Sequence, residues 1–126
     1  MDFSAQKLVL LAEADPLIGL DVADALETAG YRVAGPLRTA VEVEAWLDRW
    51  TPALAVIDVQ LADRSSAAAA RVLRGRLIPF LVHTAVAEHE TLPEVFAGAP
   101  RLSKPAWTHD VVEVLGHLPQ PAPLPC

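Results

Sequence analysis

The sequence predicts an α/β domain: a five-stranded parallel sheet with helices on both faces. Three observations carry that expectation. Short apolar runs and amphipathic stretches alternate five times along the chain, and parallel strands need such crossover connections. The runs K-L-V-L-L-A (7–12) and A-L-A-V-I-D (53–58) are too continuously apolar for strands buried on one face only. Glu13, Asp15, Asp58, Thr84 and Lys104 each fall at or just past the carboxyl end of a run, where open parallel sheets place their ligand sites.

Each element follows from local chemistry. Residues 7–12 form the first strand. Asp15-Pro16 then supplies an N-cap and a proline at the first helical position. Ile18, Val22, Ala25, Leu26 and Ala29 recur at helical spacing, and Gly30 stops the helix. Residues 31–35 (Y-R-V-A-G) read as a half-buried strand. Thr39 and Glu42 have capping-box spacing, and the helix after them puts Val43, Trp46, Leu47 and Trp50 on one face until Thr51-Pro52 breaks it. Residues 53–58 form a strand that ends in an acid. Ser65-Ser66 opens an alanine-rich helix over 66–74, and residues 79–83 (P-F-L-V-H) form a strand followed by Thr84. Residues 93–97 make at most a short helix, and 101–103 a brief strand running into Lys104-Pro105. Thr108 caps a last helix with Val111, Val112, Leu115 and Leu118 inward. The domain spans 1–118, and P-Q-P-A-P-L-P-C (119–126) is an extended, proline-rich tail.

Composition narrows the function. At 126 residues the chain is one domain, with 52 % apolar and 21 % charged residues, so it buries a real core. A net charge of −6, with no Lys/Arg cluster interleaved with aromatics, argues against nucleic-acid binding. The one cysteine, Cys126, permits no intramolecular disulfide, and no apolar run approaches the roughly 18 residues of a membrane span. A soluble, cytoplasmic protein with no membrane partner is expected.

Three acids, a hydroxyl and an ammonium at one rim are the parts needed to handle a phosphoryl group. Carboxylates hold a hard cation such as Mg²⁺, which keeps several waters besides one or two carboxylates. A lysine ammonium takes a phosphoryl oxygen as a point charge. A carboxylate can itself be the nucleophile and form an aspartyl phosphate, and Asp58, at the end of a central strand, is the candidate.

The blocks L-V-L-L-A-E-A-D-P-L-I, A-V-I-D, P-F-L-V-H-T-A and R-L-S-K-P, in this order and spacing over residues 6–118, resemble the receiver domain of two-component response regulators. The resemblance implies a flavodoxin-like strand order, 2-1-3-4-5. It implies Asp58 as phosphoacceptor, Lys104, ahead of a cis Lys-Pro bond, as the phosphoryl contact, and Thr84 as the hydroxyl that swings toward the phosphoryl group. Glu13, Asp58 and the Gln60 backbone carbonyl become Mg²⁺ ligands, with Asp15 as a substitute acid although it is also the natural N-cap. A finer resemblance, to an alphaproteobacterial-type subgroup, rests on A-G-Y-R-V-A-G-P (29–36) and, in part, on I-P-F-L-V-H-T-A-V (78–86).

Two positions depart from the family pattern. Ala14 stands where the second acid of the metal-binding pair belongs. A charge pair at about 4 Å is worth roughly 4 kcal/mol at an effective dielectric near 20, so its loss weakens Mg²⁺ binding. Arg101 stands where many members carry an aromatic switch residue, so a Thr–Tyr rotamer switch is not expected. The resemblance therefore implies a stand-alone phosphoacceptor in a phosphorelay. It would be self-phosphorylating rather than a turnover enzyme, charged by a histidine kinase or phosphotransfer protein. The alternative is a degenerate receiver that binds partners without phosphorylation. A carboxylate-nucleophile phosphatase fits less well, because Gln60 occupies the place of its second aspartate. The final helix and residues 92–97 form a candidate homodimer face.

Overall fold

The computed structural model describes residues 7–119, and the element order is that of alternating strands and helices. Five strands, β1 (Leu8–Ala12), β2 (Arg32–Leu37), β3 (Leu54–Ile57), β4 (Phe80–Thr84) and β5 (Arg101–Ser103), pair in parallel in the order β2-β1-β3-β4-β5. Four helices complete the fold: α1 (Pro16–Thr28), α2 (Ala40–Leu47), α3 (Ala67–Gly75) and α4 (Thr108–Gly116). The crossover from β4 to β5 holds only a 3₁₀ turn, Glu94–Phe96. Expectations for the tail fall on residues 120–126, outside the described residues.

Side-chain alternation along the strands divides the core in two. Leu10, Ala12, Ala55, Ile57, Phe80 and Val82 pack on α2 and α3. Val9, Leu11, Leu54, Val56 and Leu81 pack on α1 and α4. A strand clothed on both sides must be apolar at every position, which is why these runs show no polar alternation. Fully burying each such Leu, Ile or Val is worth about 1.5–3 kcal/mol.

Helix ends follow their sequence signals with two exceptions. Asp15 Oδ1 accepts from the Leu17 and Ile18 N–H groups at 2.9 and 3.2 Å. At the far end of α1, Gly30 (φ 99°) donates to Glu27 and Tyr31 to Leu26, each at 3.0 Å, a Schellman closure. Thr39 Oγ1 accepts from Glu42 N–H and meets the Glu42 carboxylate. Thr108, expected as the cap of α4, is instead its first residue, and Trp107 takes the N-cap position without a side-chain bond. Trp50, expected on the packed face of α2, lies beyond the helix end at Leu47 and is 56 % exposed. Trp46 does pack against the core.

β2 runs two residues further than its apolar pattern suggested, through Leu37, because a register irregularity between Leu10 and Ala12 carries the pairing past Gly35-Pro36. Gly35 has φ 126°, and a Cβ there would stand 2.5 Å from the Leu11 carbonyl oxygen. Only glycine fits this approach. Gly35→Ala is expected to cost about 2 kcal/mol or more in urea unfolding, and an unchanged midpoint would contradict this account of the strand pair.

Candidate functional site

Three strand ends deliver the site. Glu13 follows β1, and its N–H donates to Leu37 O at 2.9 Å. Asp58 follows β3, and its N–H donates to Ala12 O at 2.9 Å, so the two acids leave the sheet side by side. Lys104 follows β5, with its N–H on Thr84 O at 2.8 Å. The Lys104 ammonium then donates to Glu13 Oε2 and to Asp58 Oδ2, both at 2.7 Å. Glu13 is 2 % exposed and Asp58 6 %. The cis Lys104-Pro105 bond implied by the family resemblance is present.

Burial is the largest influence on Asp58 and pushes its carboxyl from an ordinary 3.8 up to about 6. The Lys104 hydrogen bond and charge oppose that rise, and the charge of Glu13 adds to it. For Lys104, burial works against the ammonium, but hydrogen bonds to Asp58 and Glu13 outweigh it and hold its pKa above the usual lysine value. One contact thus stabilises charge on both partners, and only on Asp58 does desolvation win. His83, buried at the end of β4, has its pKa lowered by burial and then by the Lys104 charge, against the pull of Glu13. It is therefore neutral at pH 7, with Nδ1 3.7 Å from Glu13 Oε1.

The other expected site residues make contacts of their own. Asp15 is exposed and its carboxylate caps α1, while its N–H donates to Glu13 Oε2 at 3.0 Å. Thr84 is buried, and its Oγ1 accepts from Val86 N–H at 3.1 Å. Gln60 is exposed, with its side-chain amide on Leu61 O at 3.2 Å. Among the described residues no group of three or more His, Cys, Asp or Glu side chains could hold a metal.

Several supports were not foreseen from sequence. Ser66 Oγ donates to the carbonyls of Asp58 (2.6 Å) and Val59 (3.2 Å), fixing the turn that presents Asp58. Asp63 caps α2 from a distance, accepting from Ala40 N–H at 2.6 Å and Val41 N–H at 3.2 Å. Backbone hydrogen bonding, that of Ala40 first, holds its carboxyl below the usual aspartate value. Arg38 Nε donates to Ala14 O at 2.9 Å, beside the missing acid.

No family model matches the chain. It is 29 % identical over 90 residues to the transcriptional regulatory protein PdtaR of Mycobacterium tuberculosis, covering 71 % of this chain and 44 % of that protein. The chain thus spans less than half the length of the curated relatives it matches. Its structure is similar to that of SdrG from Sphingomonas melonis Fr1, with a TM-score of 0.76 and 27 % identity over 92 % of this chain and 97 % of that one. The receiver domain of sensor histidine kinase PA1611 from Pseudomonas aeruginosa PAO1, solved with a magnesium ion in its active site cleft, superposes with a TM-score of 0.75. It shares 24 % identity over 88 % of this chain and 95 % of that one. Fold, rim and these likenesses match those of receiver domains of the response-regulator class. That class belongs to two-component signalling. No helix among the described residues is long and apolar enough to cross a membrane.

The raised pKa of Asp58 has a stability consequence. A carboxyl held above its unfolded 3.8 gives stability that is complete below about pH 4 and lost as pH rises through about 6. Asp58→Asn is therefore expected to be more stable than the wild type at pH 7, by about 1–3 kcal/mol in urea unfolding, with the gap closing toward pH 4. A variant less stable than wild type at pH 7 would contradict this reading.

Proposed function

We propose that this receiver accepts a phosphoryl group on Asp58 from a phosphohistidine of a histidine kinase or phosphotransfer protein. The observation that carries the reading is the Lys104 ammonium 2.7 Å from the Asp58 carboxylate, at the rim where parallel sheets bind ligands. With its pKa at about 6, Asp58 is mainly ionised above pH 7 and can act as the nucleophile. A carboxylate oxygen forms the new bond to phosphorus while the bond from phosphorus to the donor nitrogen breaks. The lone pair on Asp58 is consumed and the donor leaves with the bonding electrons. Lys104 stays beside the product and balances the added negative charge.

The residues fit Mg²⁺ sparingly but sufficiently. Glu13 and Asp58 supply two carboxylates, the Gln60 carbonyl is a third oxygen, and an ion that keeps most of its waters needs no more from the protein. When bound, Mg²⁺ supplies charge neutralisation at the transferring group. Asp15 is a weaker ligand candidate, since ligation would cost α1 its cap, about 1 kcal/mol. The likeness to SdrG and the A-G-Y-R-V-A-G-P segment support the finer subgroup assignment. A cytoplasmic location and the absence of nucleic-acid contact by this domain complete the proposal.

A second reading is favoured by Ala14: a degenerate receiver that works through its surfaces without phosphorylation. Lys104 already bonds both acids and offsets one of their two charges, which would hold such a site together without an ion. Titration with Mg²⁺ separates the two. Shifts of the Glu13 and Asp58 carboxyl resonances at millimolar ion support phosphoryl acceptance, and no response favours the binding module.

Incubation with acetyl phosphate and Mg²⁺ followed by intact mass measurement is expected to show one added phosphoryl group, absent in Asp58→Asn. Uptake rises with pH through about 6 as Asp58 ionises. An unchanged mass, or a gain that survives Asp58→Asn, would overturn the assignment.

A further inference from the structure

Arg101 opens β5, opposite Val82 of β4, and its side chain reaches the loop by which β4 exits. The guanidinium donates to three backbone carbonyls of that loop: Val86 at 3.1 Å, Ala87 at 2.5 Å and Glu90 at 3.0 Å. One planar fork serves all three, a geometry that a lysine point charge does not reproduce. Backbone carbonyls in a short loop carry partial negative charge, and a partly buried cation bonded to them is costly to release.

The same loop is tied to the candidate site at its start. Val86 gives its N–H to the Thr84 hydroxyl and its carbonyl to Arg101, so one peptide residue links the two side chains. Thr84 is further fixed by its own carbonyl, which takes the Lys104 N–H at 2.8 Å. The loop lies at the surface, half-buried at Val86 and Ala87 and exposed at residues 88–90, and without the guanidinium it would fluctuate and leave the hydroxyl free to change rotamer.

We propose that Arg101 is a positioning residue: a latch that pins residues 86–90 to β5 and thereby sets the orientation of the Thr84 hydroxyl. The inference deepens the phosphoryl-acceptor reading and rests on it for its consequence, that Thr84 meets an incoming phosphoryl group in a direction fixed beforehand by Arg101.

The test compares wild type, Arg101→Ala and Arg101→Lys by amide hydrogen exchange and by the three-bond couplings that report the Thr84 χ1 rotamer. In Arg101→Ala, exchange at residues 86–90 is expected to rise roughly tenfold, the effect of losing a net hydrogen bond or more. Amides of β1 and β3 stay unchanged, and the Thr84 couplings pass from one rotamer to an average. Arg101→Lys recovers these values in part. Unchanged exchange in the loop overturns the latch. Faster exchange with an unmoved Thr84 rotamer also overturns it, because Arg101 then stiffens the loop without positioning anything. A further arm follows the lifetime of the Asp58 phosphoryl group after acetyl phosphate treatment. Arg101→Ala alters that lifetime at least about threefold in the presence of Thr84 and not in a Thr84→Val background, as coupled neighbours require. Equal effects in both backgrounds count against the latch. Failure to gain a phosphoryl group at all defeats the phosphoryl-acceptor reading alone, since exchange and couplings decide on the latch without it.

Discussion

A single ammonium held between two buried carboxylates organises this molecule. Lys104 reaches Glu13 and Asp58 from the end of β5, across the width of β4, and each acid comes from a different strand. Two carboxylates leaving adjacent strands in parallel repel each other, and neither has much water to screen it. Without the cation, one would have to protonate or move. The parallel sheet makes the meeting possible, since every strand delivers its carboxyl end to the same rim. The turn behind Asp58, tied down by Ser66, keeps the acid there.

The arrangement is a compromise between stability and chemistry. Desolvation lifts Asp58 toward neutrality and Lys104 resists it, so the carboxylate stays ionised in the neutral range yet poorly hydrated. Under the phosphoryl-acceptor proposal, such a carboxylate has less water to shed before it attacks, and the fold carries the cost. Ala14 shifts the balance further toward the lysine. With one acid fewer at the rim, the single ammonium leaves one net negative charge rather than two, and Arg38 bonds to the backbone carbonyl of Ala14.

Much of this was legible in the sequence because its causes are local or follow from chain order. Strands clothed on both faces have to be apolar throughout, and acids or a lysine placed directly after them arrive at one rim. Glu13, Asp58 and Lys104 meet for that reason. What stayed illegible depends on backbone acceptors and distant partners, which leave no pattern in residue types. Arg101 stood out as a departure, but nothing in its neighbours says that it binds the carbonyls of Val86, Ala87 and Glu90. Asp63 caps a helix that begins 23 residues earlier in the chain. Trp50 misled because helical spacing continues past Leu47 although the helix does not. Thr84 was placed at the right strand end, while the engagement of its hydroxyl with Val86 is set by the loop rather than by the strand.

Burial and the direct Lys104 contact act on Asp58 in opposite directions. Carbon-13 titration of the Asp58 carboxyl in the wild type and in Lys104→Met measures both at once. The expected wild-type midpoint is about 6, with a clearly higher one in the variant, where burial and Glu13 act unopposed. A wild-type midpoint near the ordinary 3.8, or one that does not move when the ammonium is removed, would contradict it.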